Sequence, residues 1–207
     1  MQELIYWIEI FALVTGVIYV VLEIGQKNFM WYVGIATGAA CAFSFGVQHL
    51  YASMVLNLYY VFVSFWGLYQ WKKDARRMAA LEADYKVEDA QRDKAQIHLN
   101  HLSNKTMVYS LLAFIVGQGV LYMVLDLIGD SMSWLDSAST VMSIIGTIWL
   151  AKSYYQQWYI WIVANVLSVI LCLQSGMYWM TALYAVYVLS AIYGCFHWVK
   201  NGKYVNG

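Results

Sequence analysis

Residues 158–200 read WYIWIVANVLSVILCLQSGMYWMTALYAVYVLSAIYGCFHWVK, and 127 positions earlier residues 31–73 read WYVGIATGAACAFSFGVQHLYASMVLNLYYVFVSFWGLYQWKK. Laid over each other without a gap, the two stretches match Trp31 with Trp158, Tyr32 with Tyr159, Ile35 with Ile162, Tyr51 with Tyr178 and Leu56 with Leu183. Further along, Tyr60 matches Tyr187, Val61 matches Val188, Gly67 matches Gly194, Trp71 matches Trp198 and Lys73 matches Lys200. Aromatic-rich composition supplies two or three such coincidences, so this many in one register point to duplication. Each copy is two apolar runs joined by a short connection. Working outward, Leu4–Ile24 precedes the first copy and Trp134–Ala151 the second, with Gly16 set against Gly146 at a slightly different offset.

A further run, Met107–Ile128, lies between the copies, which gives seven: Leu4–Ile24, Met30–Gln48, Tyr51–Trp71, Met107–Ile128, Trp134–Ala151, Trp158–Gln174 and Met177–Val199. Each approaches the roughly 20 apolar residues that carry a helix across a bilayer. The expected fold is an all-α integral membrane protein of seven transmembrane helices, two parallel three-helix repeats joined by a linker helix. The boundaries read 1–71 for the N-terminal unit, 72–105 for a charged loop, 106–130 for the linker helix and 131–207 for the C-terminal unit. Four spans separate each helix from its copy, so the copies share an orientation, and repeats of that kind bind substrate near the bilayer midplane between the units.

Charge agrees with these spans. The 207 residues are 62% apolar and 12% charged, against about 25% charged in a soluble domain. All twelve lysines and arginines fall on one side: Lys27, eight between Lys72 and Lys105, Lys152, Lys200 and Lys203. By the positive-inside rule that side is cytoplasmic, leaving the N-terminus outside and the C-terminus inside. The first run has no basic stretch before it and no small-residue cleavage site after it, so it reads as a retained helix and not a signal peptide. A net charge of zero argues against nucleic acid or an acidic partner. Segment 72–105 is expected to be helical and solvated, with apolar positions at Met78, Leu81, Tyr85 and Ile97.

Polar side chains inside spans are costly and mark function by default. Trp158, Trp161 and Asn165 stand at i, i+3 and i+7 on one helical face. Two indoles and an amide suit a flat, positively charged heterocycle, because indole faces attract cations and stack on planar rings. The competing explanation for the two tryptophans is an interfacial aromatic belt; Asn165 lies too deep for that. Thr181, Tyr184 and Tyr187 follow in the last span, Gln118 sits between Gly117 and Gly119 in the linker helix, and Asn57 and Tyr60 occupy the repeat positions of Tyr184 and Tyr187. Glu9 is the one carboxylate deep in a span, whereas proton or sodium coupling usually needs several, so an uncoupled carrier is expected. Mid-span lysine is absent from the seventh run, which removes a retinal site. Cys41, Cys172 and Cys195 are too far apart for a CxxC pair, and the four histidines form no ligand pattern. No HExxH, GxSxG or nucleotide-binding glycine pattern occurs, so no catalytic residue, cofactor or metal is expected.

The stretch from Trp158, with Trp134, Asp136 and Thr140 before it and YASMVLNLYYVFVSFWGLYQW from Tyr51, resembles the PnuC family of bacterial vitamin transporters over nearly the whole chain. That resemblance implies a SWEET-like three-one-three fold in the bacterial inner membrane, often as a homotrimer. It also implies passive uptake of a B-vitamin precursor, made directional by a cytoplasmic kinase that phosphorylates the cargo. Nicotinamide riboside is the common cargo, and relatives carry thiamine or riboflavin. The family's nicotinamide riboside members resemble W-W-x-x-W-x-x-x-N at the start of span six, and here the first tryptophan is Gln157. Losing an indole removes stacking surface and adds an amide suited to another ring, so thiamine stays open beside nicotinamide riboside. The substrate-binding set is then Trp158, Trp161, Asn165 and Gln157, with Gln118, Asn57, Thr181 and Tyr184 for polar groups. Complete absence of proline leaves Gly34, Gly38, Gly117, Gly119 and Gly146 as hinge candidates. A reading of another class, a vitamin-binding subunit that needs an energising partner, also remains.

Overall fold

The computed structural model describes residues 2–47, 51–84, 97–127, 133–174 and 178–205. These form seven helices, α1 (Gln2–Ile24), α2 (Phe29–Val47), α3 (Tyr51–Asp84), α4 (Asn104–Leu127), α5 (Ser133–Ala151), α6 (Gln157–Gln174) and α7 (Tyr178–Asn201). Two short strands, β1 (Ile97–Leu99) and β2 (Gly202–Tyr204), pair in a two-stranded sheet. The fold is all-α, three helices, one, then three, as the apolar runs require: within a bilayer the backbone must satisfy its own hydrogen bonds, and a helix does so inside one segment. Among the described residues, α4, α6 and Thr181–Asn201 of α7 are each long and apolar enough to cross a membrane, and Val14–Ile24 and Phe29–Phe43 add shorter apolar helical stretches.

The chain divides into two compact units, Met1–His98 with Asn201–Val205, and a second built on Leu99–Lys200. In the first, α2 packs on α3 and α1 on α2; in the second, α5 packs on α6 and α4 on α5. Helix α3 has 34 residues, about 51 Å at 1.5 Å per residue, whereas a hydrocarbon core is about 30 Å thick. Its polar end, with Lys72, Lys73, Arg76 and Arg77 exposed, therefore stands clear of the apolar layer. Ser103 caps α4: its Oγ accepts from the Thr106 amide at 3.1 Å and its carbonyl from the Met107 amide at 3.0 Å.

Duplication is visible in the hydrogen bonds of the turns. After α1, the Gln26 amide donates to the Glu23 carbonyl and the Lys27 amide to the Leu22 carbonyl, both at 2.9 Å. After α5, the Ser153 amide donates to Leu150 at 2.9 Å and the Tyr154 amide to Trp149 at 3.0 Å. Both are Schellman caps, which place one residue in the left-handed region; here these are Gln26 (φ 46°) and Ser153 (φ 56°). The next helices start alike, with Met30 donating to Lys27 and Trp31 to Asn28 in one unit, Gln157 to Tyr154 and Trp158 to Tyr155 in the other. The 127-residue shift thus runs through the first helix of each unit as well. Gly146 consequently pairs with Tyr19, which corrects the expected match with Gly16: a helix cannot change register against its own cap.

Of the segment expected to be helical and solvated from Lys72 to Lys105, the part up to Asp84 is helical, and residues 85–96, Tyr85 among them, lie outside the described residues. Its far end is a strand whose Ile97 and Leu99 are buried, each 2% exposed. The Gln26 side chain holds it there, donating from Nε2 to the His98 carbonyl at 2.9 Å and accepting the His98 amide at Oε1 at 2.7 Å. Leu81 and Glu9 have side chains outside the described set. Cys41 is half-buried, Cys172 and Cys195 are buried, and all three are free thiols.

Candidate functional site

Gln157 opens α6 and is completely buried, and Trp158 beside it is 2% exposed. The Trp158 indole meets Trp198 of α7 edge to face, with ring centroids 5.5 Å apart. It also lies over Gly194, where a Cβ would come within 2.6 Å of the ring. Trp31, Trp71 and Gly67 repeat this arrangement in the first unit, the two indoles 5.1 Å apart and the Trp31 ring filling the space of any Gly67 side chain. Trp158 therefore has a packing role common to both units, and that role fixes how α6 leaves its first turn. Its Nε1 is buried without a hydrogen-bond partner.

One turn deeper, Trp161 turns its pyrrole edge toward α5. A Cβ on Gly146 would stand 3.3 Å from Trp161 Cε2 and 3.5 Å from Nε1. That Nε1 is also buried and unpartnered, and such a donor costs about 1–3 kcal/mol. Asn165 follows on the same face, 8% exposed. An amide carries two donors and an acceptor with two lone pairs, and among the described residues none bonds that of Asn165.

The remaining expected residues are spread over three helices. Gln118 on α4 donates from Nε2 to the Trp134 carbonyl at 3.2 Å, while its Oε1 is buried with no partner. On α7, Thr181 and Tyr184 are half-buried, and the Tyr184 ring packs edge to face against Tyr187 at 6.0 Å. Asn57 belongs to the first unit, on α3, half-buried.

Sequence reasoning missed the polar face of α5. Ser139, Ser143 and Thr147 stand four residues apart and donate to carbonyls of their own helix, those of Asp136, Ser139 and Ser143, at 2.7–3.0 Å. Ser137, also buried, does the same. Their i, i+4 spacing was the available signal. Each hydroxyl proton is spent within the helix, leaving an acceptor lone pair. Among the described residues no group of His, Cys, Asp and Glu is arranged to hold a metal ion.

A family model described as nicotinamide mononucleotide transporter matches residues 6–200. The nicotinamide riboside transporter PnuC of Escherichia coli (strain K12) is 23% identical, the alignment covering 95% of this chain and 87% of that protein. Its counterpart from Neisseria mucosa is 26% identical, with 97% and 75% covered. A crystal structure of the vitamin B3 transporter PnuC superposes with a TM-score of 0.67 at 25% identity, covering 94% of this chain and 81% of that one.

Proposed function

Given that the chain belongs to the nicotinamide mononucleotide transporter family, we propose that it takes up nicotinamide riboside across the bacterial inner membrane by facilitated diffusion. The observation that carries this reading is the α6 face on which Trp161 and Asn165 stand with unused polar groups in a buried setting. The nicotinamide ring of the riboside is a flat cation bearing a carboxamide. Trp161 supplies a π face for the charge, and the Asn165 amide complements a carboxamide donor for acceptor. Trp158 borders the ring, held by Trp198, and Gln157, Gln118, Thr181 and Tyr184 are assigned to the remaining polar groups.

Charge favours the riboside over the mononucleotide. A phosphate calls for lysine or arginine partners, yet between Lys105 and Lys152, and again between Lys152 and Lys200, the sequence has neither lysine nor arginine. The acidic side chains among the described residues of the second unit, Asp126 and Asp136, lie near helix ends, which supports a carrier without proton or sodium coupling. Accumulation then depends on a cytoplasmic kinase, whose charged product cannot leave. Placement of every basic residue on one side supports an outside N-terminus and a cytoplasmic C-terminus. Assembly as a homotrimer rests on the family resemblance. Thiamine is the second cargo reading, favoured by Gln157, which stands where the tryptophan-rich pattern implied by the family resemblance would put an indole.

Calorimetric titration of the purified protein with nicotinamide riboside, thiamine and riboflavin, each beside its phosphorylated form, tests the proposal. Binding of the riboside without its phosphate is expected, and tighter thiamine binding would reassign the cargo. Binding of none would overturn the vitamin reading. Uptake into liposomes holding this protein alone is expected; its failure alongside tight binding would identify a subunit that needs an energising partner.

A further inference from the structure

The two units make one helix contact in opposite senses. At the shift fixed by the two caps, Tyr19 corresponds to Gly146 and Gly34 to Trp161. In the first unit the large ring belongs to the first helix: a Cβ on Gly34 would meet Tyr19 Cε2 at 3.1 Å and Ser64 Oγ at 2.9 Å. In the second unit it belongs to the second helix, where Trp161 lies on Gly146 at the distances given above, with Ile160 Cγ2 also 3.3 Å from the glycine's missing Cβ. Asn165 corresponds to Gly38, where a Cβ would stand 2.9 Å from Val61 Cγ2 and 3.3 Å from the Asn57 carbonyl oxygen. Helix α2 thus lies against α3 with no room for a side chain at that place. The first unit has no counterpart to either group on which the binding reading depends.

We propose that Gly146 is a specificity-determining residue of the transporter: by having no side chain it lets the Trp161 indole sit back onto α5, and that depth sets the size of ring admitted beside Asn165. This rests on the reading in which Trp161 and Asn165 hold the cargo. Interiors are packed to crystal density and do not absorb an added methyl freely. Helix α5 carries buried side chains both before and after Gly146, at Val141, Thr147, Trp149 and Leu150, so the indole is the part that moves. An alanine at 3.3 Å displaces it by a few tenths of an ångström, and a valine displaces it further, in each case toward the cargo. Gly146 touches no cargo itself; it acts through Trp161 as a positioning residue.

The test uses purified full-length Gly146→Ala and Gly146→Val, titrated with nicotinamide riboside and thiamine, with melting temperature recorded for each. Affinity is expected to fall in the order alanine then valine, by on the order of tenfold or more for valine, and unequally for the two vitamins, so that the selectivity ratio moves. Combining Gly146→Ala with Trp161→Phe, which shrinks the ring, is expected to restore part of the loss that either change causes alone. Gly34→Ala, the same kind of substitution in the first unit, should leave affinity at the wild-type value even where it lowers melting temperature. Unchanged affinity and selectivity in both Gly146 variants would overturn the proposal, as would equal loss for both vitamins with no rescue. A wild-type protein that binds neither vitamin would instead overturn the binding reading, and this inference with it.

Discussion

Trp158 and Trp198 meet edge to face at 89°, and the corresponding pair Trp31 and Trp71 meets at 75°. In each unit one indole of the pair is seated on a glycine of the third helix, Gly194 or Gly67. The same three-residue lock is thus built twice. Edge-to-face aromatic pairs contribute about 0.5–1.5 kcal/mol beyond their burial, and here they tie the start of the second helix to the end of the third.

Gly194→Ala should be poorly tolerated, because its methyl would lie 2.6–2.8 Å from three carbons of the Trp158 ring. Overpacking of this kind costs about 1–3 kcal/mol. A lowered melting temperature in detergent is the expected result, with membrane insertion intact. Full wild-type stability would mean that Trp158 has room to move.

Asn165→Ala should abolish most vitamin binding while leaving stability near wild type, since the Asn165 amide bonds to nothing among the described residues. Loss of its hydrogen bonds to cargo corresponds to about 1–3 kcal/mol, or roughly fivefold to 150-fold in affinity. Titration checks it, and wild-type uptake by this variant would remove Asn165 from the site.

Gln157→Trp should move preference toward nicotinamide riboside. Gln157 is fully buried, as is Met30 at the equivalent position of the first unit, so the larger side chain must displace neighbours and some stability should be lost with the gain in selectivity. Competition between the two vitamins measures the ratio. An unchanged ratio would show that position 157 does not select cargo.

Stability should also depend on pH through His98. Burial holds its imidazole below the ordinary value of 6.5, against an opposing influence from Asp74, and its Nε2 is buried without a partner. The unfolded chain therefore takes up a proton near pH 6.5 while the native ring stays neutral. Stability is level above that pH, falls as pH drops below it, and levels again once the native ring is protonated. Melting curves between about pH 8 and about pH 5 should show this decline, and His98→Gln should flatten it. Gln26→Ala removes both side-chain bonds to the His98 backbone and should lower stability at every pH.

Much of the architecture was legible because membrane helices are written in long apolar runs and duplication in one ungapped register. Trp31, Gly67 and Trp71 match their copies in the sequence itself, without reference to any contact. The β1 strand was not legible: Ile97–Leu99 takes its partner from Gly202–Tyr204, about a hundred residues away, and no local pattern carries that pairing. For Trp158 the sequence left an aromatic belt and a binding wall in balance, and burial against Trp198 adds a packing role that neither reading contained.

The order of helices, their membrane setting and the repeat were determined by the sequence alone, because hydropathy and periodicity are properties of neighbours along a chain. Which ring fills the contact between the first two helices of each unit was decided only in three dimensions. Tyr19 covers Gly34 in one unit and Trp161 covers Gly146 in the other, and whether a glycine is a hinge, a gap or a seat depends on the side chain that another helix brings to it.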